Sequence, residues 1–488
     1  MIRVRFAPSP TGFLHVGGLR TALYCELFAR KNNGRLILRI EDTDRTRLVD
    51  GGIENIISTL RWAGIEPDEG PYIDSAGELR EHGEYGPYVQ SQRLDIYKKY
   101  VNQLVDKGYA YRCFCCAERL DEMRERQRTE GGRTMYDRRC RDLSEEERQT
   151  LLASGQPHVV RLAVPFEGTT GWNDLIRGRI EISNDQVDDQ VLLKSDGFPT
   201  YHLAVVVDDH LMEITHVIRG EEWCPSTPKH VMLYEAFGWE QPKFAHLPLL
   251  LNRDRSKLSK RQGDVAVEDY RDKGYLSEAL VNFVALLGWN PNSDREIYSR
   301  QELVDSFDLT KVNRGGAIFD LEKLDWMNGE YIKKLSDEEL IGLAKPFFEK
   351  AGLGTDQEII AKVALLERSR ARTLSEIPAA LPFLFEDPDV DPGLLSWKKS
   401  TVEIAKDRLI GLKEHISELE PKIFDSRESI ESELLGFVIK MGWTNAETLW
   451  PMRVALTGLS ASPGPFEVAW ALGQETTVRR LGSAIAKL

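Results

Sequence analysis

The 488-residue chain predicts an α/β fold, built on a parallel strand–helix–strand unit and followed by an all-α C-terminal region. Three observations carry this. The opening residues switch from a strand pattern to a helical one and back. A segment rich in arginine and cysteine then interrupts the α/β part. Beyond about residue 336 strand signals vanish, and amphipathic helices with glycine stops take over, as in "LSDEELIGLAKPFFEKAGL" and "SIESELLGFVIKMGW".

Ile2 to Ala7 reads as a short strand, ended by Pro8 and Pro10, because proline lacks the ladder N–H and restricts the residue before it. A helix is expected from about Gly17, with Leu19, Leu23, Leu27 and Phe28 at helical spacing and Asn32, Asn33 and Gly34 as its stop. "RLILRIEDTD" is a buried strand with Glu41, Asp42 and Asp44 at its C-terminal end. Ligands gather at the carboxyl ends of such parallel strands, so Arg5, Ser9, His15 and Glu41 are expected to converge on one crevice. The stretch "SPTGFLHVGG" puts His15, Gly17 and Gly18 at a helix N-terminus, where unpaired N–H groups and the dipole favour a phosphate. It is neither of the common glycine-rich nucleotide loops. Farther on, Lys257, Ser259, Lys260 and Arg261 crowd the polar loop "NRDRSKLSKRQGD" after the apolar run "LPLLL". Such a loop is either a solvated face or a phosphate clamp.

Apolar content of 41% and charged content of 29% are ordinary for a soluble globular protein. No apolar run reaches the ~18 residues of a membrane span, and MIRVRFAPSP has no signal-peptide core, so the cytoplasm is the expected compartment. The net charge of −14 disfavours polyanions in general. Residues 112–141, however, hold nine arginines against six acids, which suits either a phosphate-binding stripe or a salt-bridged helix. Four of the six cysteines, Cys113, Cys115, Cys116 and Cys140, fall in that same segment.

"HVGG" early and "KLSKR" late resemble the HIGH and KMSKS motifs of class I aminoacyl-tRNA synthetases. "RFAPSPTGFLHVGGLRTAL", "RIEDTDR", "GPYVQSQRLDIY", "KSDGFPTYHLAVVVDDHLMEITHVIRGEEW" and "FDLEKLDWMNGEYI" narrow this. In order and spacing they resemble bacterial glutamyl-tRNA synthetases over roughly residues 1–335.

That resemblance implies ATP-dependent formation of glutamyl-adenylate and transfer of the glutamyl group to the 2′-hydroxyl of the terminal adenosine of tRNA(Glu). Mg²⁺ is implied with the ATP, although the sequence offers no dedicated cage for it. His15, Lys257 and Lys260 are the implied catalytic residues. Ala7, Ser9, Gly17, Gly18, Glu222 and Trp223 are implied around ATP, with Leu249, Leu250, Leu258 and Ser259. Gly18 stands where many class I enzymes carry histidine, which leaves more of the side-chain role to His15. Glutamate needs two cations and an anion: Arg5 and Arg219 for its carboxylates, Glu41 for its ammonium, with Ser9 and Tyr201 closing the pocket. Arg219 is expected at the side-chain carboxylate; its alternative is a salt bridge with Glu221 or Glu222. Val205 replaces an asparagine of some relatives.

For the cysteine segment the choice lies between a zinc site and a metal-free subdomain. Cys113, Cys115 and Cys140 would supply three ligands, and Asp142 is the leading fourth, ahead of Cys116 and Tyr136. In "ERSRARTLSE" Arg368 and Arg370 are expected near the anticodon, with Arg368 and Arg372 on one helix face and Arg370 off it.

The implied organisation is a Rossmann-like catalytic domain in two halves, 1–95 and 203–255, around an acceptor-binding insertion, 96–202. A stem-contact domain, 256–336, and two helical anticodon-binding domains, 337–390 and 391–488, follow. A monomer is expected. Partners are tRNA(Glu) and, as an open question, tRNA(Gln). Three rivals fare worse: a glutaminyl enzyme should end in β-barrels, a shortened paralogue lacks the helical region, and a dead RNA-binding paralogue should have lost His15 or Lys260.

Overall fold

A computed structural model describes residues 1–258, 266–291, 294–353, 356–398 and 400–488. The expected roles of Ser259 and Lys260 therefore fall outside the described residues. The chain forms two compact units, Met1–Arg271 with Ser277–Leu324, and Asp272–Leu276 with Asp325–Leu488.

The first unit is built on a six-stranded sheet. Its elements are β1 (Arg3–Phe6), α1 (Val16–Lys31), β2 (Arg35–Leu38), β3 (Thr169–Asp174), β4 (Gly178–Ser183), α2 (Tyr201–Leu211), β5 (His216–Gly220), α3 (Thr227–Phe237) and β6 (Lys243–Leu247). The strand order is β2-β1-β5-β6-β3-β4. All pairs are parallel except the β3–β4 hairpin. The order reverses between β1 and β5, which opens a crevice at their carboxyl ends. Strand β1 is buried throughout, as a parallel strand covered on both faces must be.

Helix α1 begins with His15 as its N-cap; the Nδ1 atom accepts from the N–H groups of Gly17 and Gly18 at 3.0 and 3.3 Å. Those donors, expected to face a phosphate, are thus taken by the His15 ring, which leaves the ring proton on Nε2.

The expected domain borders shift. β3 and β4 lie within 96–202 yet extend the main sheet, because Trp172 is buried in the same core as Val217 and Phe244. The 202/203 border falls inside α2, whose N-cap is Thr200. The insertion keeps its own antiparallel sheet, Ala110–Cys113, Val159–Leu162 and Val191–Leu193. Most of the stretch expected as a separate stem-contact domain joins the first unit. Leu250–Leu251 pairs with Ala317–Ile318, and Tyr24 donates to the carbonyls of Ala285 and Leu287 at 3.0 and 2.9 Å.

The second unit is helical, with no strand among its described residues. Its main helices are Asp337–Lys350, Gln357–Glu367, Val402–Glu418, Arg427–Lys440, Asn445–Thr457 and Pro465–Lys487. Ser336 and Glu339 close a capping box on the first of these. The stretch at the border expected at 390/391 is tied to the C-terminal end of the chain. Asp387 pairs with Arg479 and Arg480, and Asp389 pairs with Lys487, so the proline- and acid-rich stretch is stitched to the last helix.

Candidate active site

The crevice beside β1 and β5 is a cleft of about 1090 Å³. It gathers the expected site residues that the structure describes. Ala7, Ser9, His15, Gly17 and Gly18 come from the β1–α1 connection, and Arg5 from β1. Glu41 follows β2, Tyr201 opens α2, and Arg219, Glu222 and Trp223 come from β5 and the turn after it. Leu249, Leu250, Lys257 and Leu258 close the other side.

Electrostatics separate these groups. Arg39, fully buried, holds Glu41 at 3.1 Å and Asp209 at 2.7 Å. Arg5 is also paired with Asp209, at 3.1 Å. Arg5 and Glu41, expected to face a carboxylate and the ammonium of glutamate, thus each already have a partner of opposite charge. Burial, outweighing the pull of Arg39 and Arg5, raises the Glu41 carboxyl to about 7.

Arg219 is different. Its Nε donates to His246 Nε2 at 3.1 Å, and its Nη1 to Tyr201 Oη at 2.8 Å and His230 Nδ1 at 3.2 Å. Its Nη2 donates to Thr227 Oγ1 at 2.9 Å. Among the described residues it has no carboxylate within ion-pair distance, although it is only 5% exposed. The alternative of a salt bridge with Glu221 or Glu222 therefore fails, and Glu221 pairs with Arg177 instead. Burial and the nearby Arg219 charge both help keep His230 neutral.

Sequence reasoning missed Asp209, Thr227, His230, His246 and Asp174 as site-forming residues. The available signal was position, since Asp174 and His246 lie at or next to the carboxyl ends of β3 and β6. Val205 is a buried core residue.

In the insertion, Cys113, Cys115 and Cys140 bring their sulfurs within 4.8 Å of one another. Tyr136 Oη lies 3.3 Å from both Cys113 Sγ and Cys115 Sγ. Asp142 does not join them: the Arg139–Arg141 turn buries Cys140, and Asp142 follows as its exposed C-cap. Cys116 is exposed too. The surrounding arginines are partly compensated, Arg124 by Asp121, Arg128 by Glu125, and Arg138 by buried Asp189.

In the second unit, the helix Gln357–Glu367 ends before the arginine run, so the expected helix-face relation of Arg368 and Arg372 does not hold. Arg368 is the C-cap and pairs with Asp337. Arg370 is about half exposed and leans on Leu366 O at 3.3 Å and Glu367 at 3.5 Å.

Residues 1–326 match the family model described as tRNA synthetases class I (E and Q), catalytic domain, and residues 339–485 match an anticodon binding domain. A glutamate–tRNA ligase of Clostridioides difficile (strain 630) is 47% identical over 98% of both chains. One from Chloroherpeton thalassium is 47% identical over 100% of this chain and 98% of its own. Among solved structures, a glutamate tRNA ligase from Elizabethkingia meningosepticum, in complex with its amino acid, superposes with a TM-score of 0.88 at 38% identity. That match covers 100% of this chain and 99% of the other. The described helices include none long and apolar enough to cross a membrane. By its catalytic and anticodon domains and its full-length relatives, the chain belongs to the glutamate–tRNA ligases, class I synthetases whose function is the aminoacylation of tRNA(Glu).

Proposed function

We propose that Arg219 is the cation that selects glutamate by its side-chain carboxylate. The observation that carries this is a buried guanidinium whose acceptors among the described residues are all neutral. An unpaired buried charge is costly, and an anionic ligand removes the cost. A neutral amide does not, so glutamine is rejected. Glu41 receives the ammonium, while Arg5, partly neutralised by Asp209, orients the α-carboxylate beside Ser9.

ATP lies along the β1–α1 connection, and its Mg²⁺ comes with it as part of that substrate. His15 Nε2–H and the Lys257 ammonium meet the phosphates, with Lys260 as the further clamp on the departing pyrophosphate. These donors stabilise charge that builds as the glutamate carboxylate attacks the α-phosphorus. The tRNA 2′-hydroxyl then takes the glutamyl group, and Arg370 is the anticodon reader. The enzyme works in the cytoplasm as a monomer, which sedimentation of the full-length protein checks, and aminoacylation of purified tRNA(Gln) beside tRNA(Glu) measures its tRNA range.

Arg219→Met tests the central assignment. It is expected to lower kcat/KM for glutamate by about 100-fold or more, the worth of a buried charge-assisted pair, and to flatten the preference over glutamine. An unchanged preference would remove Arg219 from this role.

A structural zinc fits the insertion, because three sulfurs and a phenolic oxygen already converge there. Cys113, Cys115, Cys140 and Tyr136 would hold it, and the metal would tie the Ala110–Cys113 strand to the Arg139–Arg141 turn. Tyr136→Phe is expected to lower zinc retention in metal analysis, and Asp142→Ala to leave it unchanged.

A further inference from the structure

Three neighbouring strands carry one line of side chains. β3 ends on Asp174, β6 carries His246 and β5 carries Arg219. Arg219 and His246 are cross-strand partners, and Asp174 pairs with Phe244 on the other side of β6. His246 Nδ1 lies 2.6 Å from Asp174 Oδ2, and His246 Nε2 lies 3.1 Å from Arg219 Nε. His246 is completely buried and Asp174 nearly so.

The chemistry of the donors decides the tautomer. The Nε of a guanidinium carries a hydrogen and no lone pair, so His246 Nε2 must be the accepting nitrogen. The ring proton then sits on Nδ1 and is donated to Asp174. Asp174 is itself fixed, since its Oδ1 accepts from the N–H groups of Ile176 and Arg177, each at 3.0 Å. Burial opposes its charge, but the His246 and backbone hydrogen bonds hold it below the usual carboxylate range. The ring is kept neutral by burial, with the Arg219 and Arg177 cations adding to that effect against Asp174.

A carboxylate placed directly on Arg219 would have cancelled its charge. A neutral imidazole between them aims the guanidinium and leaves the charge available. We propose that Asp174 and His246 are positioning residues that determine amino-acid specificity: Asp174 locks His246 in its Nδ1–H tautomer, and His246 orients Arg219 toward an acidic side chain without neutralising it. This rests on the reading of Arg219 as the carboxylate-binding cation, and adds to it how that cation is held.

Two substitutions in the full-length enzyme separate this role from simple packing. In His246→Gln the amide oxygen reaches the place of Nε2 and still accepts from Arg219. In His246→Asn the shorter amide reaches only the place of Nδ1, so the Arg219 donor is left unsatisfied. His246→Asn is expected to raise KM for glutamate about tenfold or more, with kcat nearly unchanged, and to narrow the glutamate-to-glutamine affinity ratio. His246→Gln should stay within about threefold of the parent on the same scale. Asp174→Asn keeps the backbone contacts but turns an N–H toward Nδ1. The opposite tautomer then faces Arg219 donor to donor, and the outcome should follow His246→Asn.

Equal effects of the Asn and Gln variants on KM and on the ratio would overturn the proposal. Nitrogen-15 NMR of the unmodified enzyme at neutral pH gives an answer that needs no variant to fold: a bare Nε2 is expected, and a protonated Nε2 overturns it. If Arg219→Met leaves the preference for glutamate intact, the reading of Arg219 itself has failed. If that preference is lost while the two His246 variants behave alike, only the positioning role has failed.

Discussion

Two buried arginines toward the carboxyl ends of strands in the same sheet have opposite surroundings. Arg39 sits among Glu41, Asp208 and Asp209, and Asp208 also takes Arg93 and Tyr97, at 2.8 and 2.7 Å. Arg219, across the crevice, has imidazoles and hydroxyls as its hydrogen-bond partners among the described residues. The residue type is the same, so burial alone does not reveal a role. What differs is whether the fold has already satisfied the charge. A compensated arginine ties elements together; one left with neutral acceptors is prepared for something that arrives later.

The contrast can be broken most forcefully at Arg39. Arg39→Met strips buried Glu41 of its hydrogen-bonded cation and leaves Asp209 with Arg5 and Asp208 with Arg93, and should cost about 3 kcal/mol of folding stability in denaturant titrations. Arg219→Met removes a charge that no carboxylate balances, so its unfolding midpoint should stay close to the parent or rise. Equal losses in the two variants would abolish the distinction.

Glu41 pairs with Arg39 and lines the same cleft as Arg219, and it gives a pH test. Its folded value of about 7 lies above the ordinary carboxyl range, so folding favours the protonated form. Its contribution to stability is present in full below about pH 4.5, and is lost as the pH rises through about 7. Ammonium binding needs the ionised form, so KM for glutamate should fall as the pH rises from 6 to 8, by up to about tenfold per unit below the midpoint. Glu41→Gln should raise KM and remove that dependence. A flat KM profile in the parent would show that Glu41 does not receive the ammonium.

The second unit offers a weaker contrast at the surface, between Arg370, half exposed on a long 3.5 Å pair with Glu367, and Arg368, closely paired with Asp337. Arg370→Gln should reduce discrimination between glutamate and glutamine tRNAs by about 1 kcal/mol, the low end for a base contact, measured as a ratio of kcat/KM. Equal weakening of both tRNAs would make Arg370 a phosphate contact. Arg368, already paired with Asp337, is expected to matter less. Arg368→Gln should cost about 0.2–1 kcal/mol of stability and leave the tRNA ratio unchanged.

The opening strand, helix and strand were legible because their signals are local. Apolar spacing, the proline stop and the Asn-Asn-Gly end all act within a few residues. The two motif regions around His15 and Lys257 were legible for the same reason, and the described part of each meets in one cleft. The C-terminal helices announced themselves by their glycine stops and apolar faces.

What only the tertiary structure decided are the partners. Arg5 meets Asp209 from 204 residues away, and His246 meets Asp174 from 72 residues away. No periodicity encodes which carboxylate reaches which guanidinium, because strand order brings distant segments side by side. The same limit applies at the cysteine cluster. Asp142 is near Cys140 in sequence, yet the Arg139–Arg141 turn faces it to solvent, while Tyr136 is brought onto the sulfurs. Sequence alone thus determined which chemical groups are present and which local elements carry them. The sheet decided which charges are cancelled and which, among the described residues, have neutral partners, because compensation depends on distances that only folding sets.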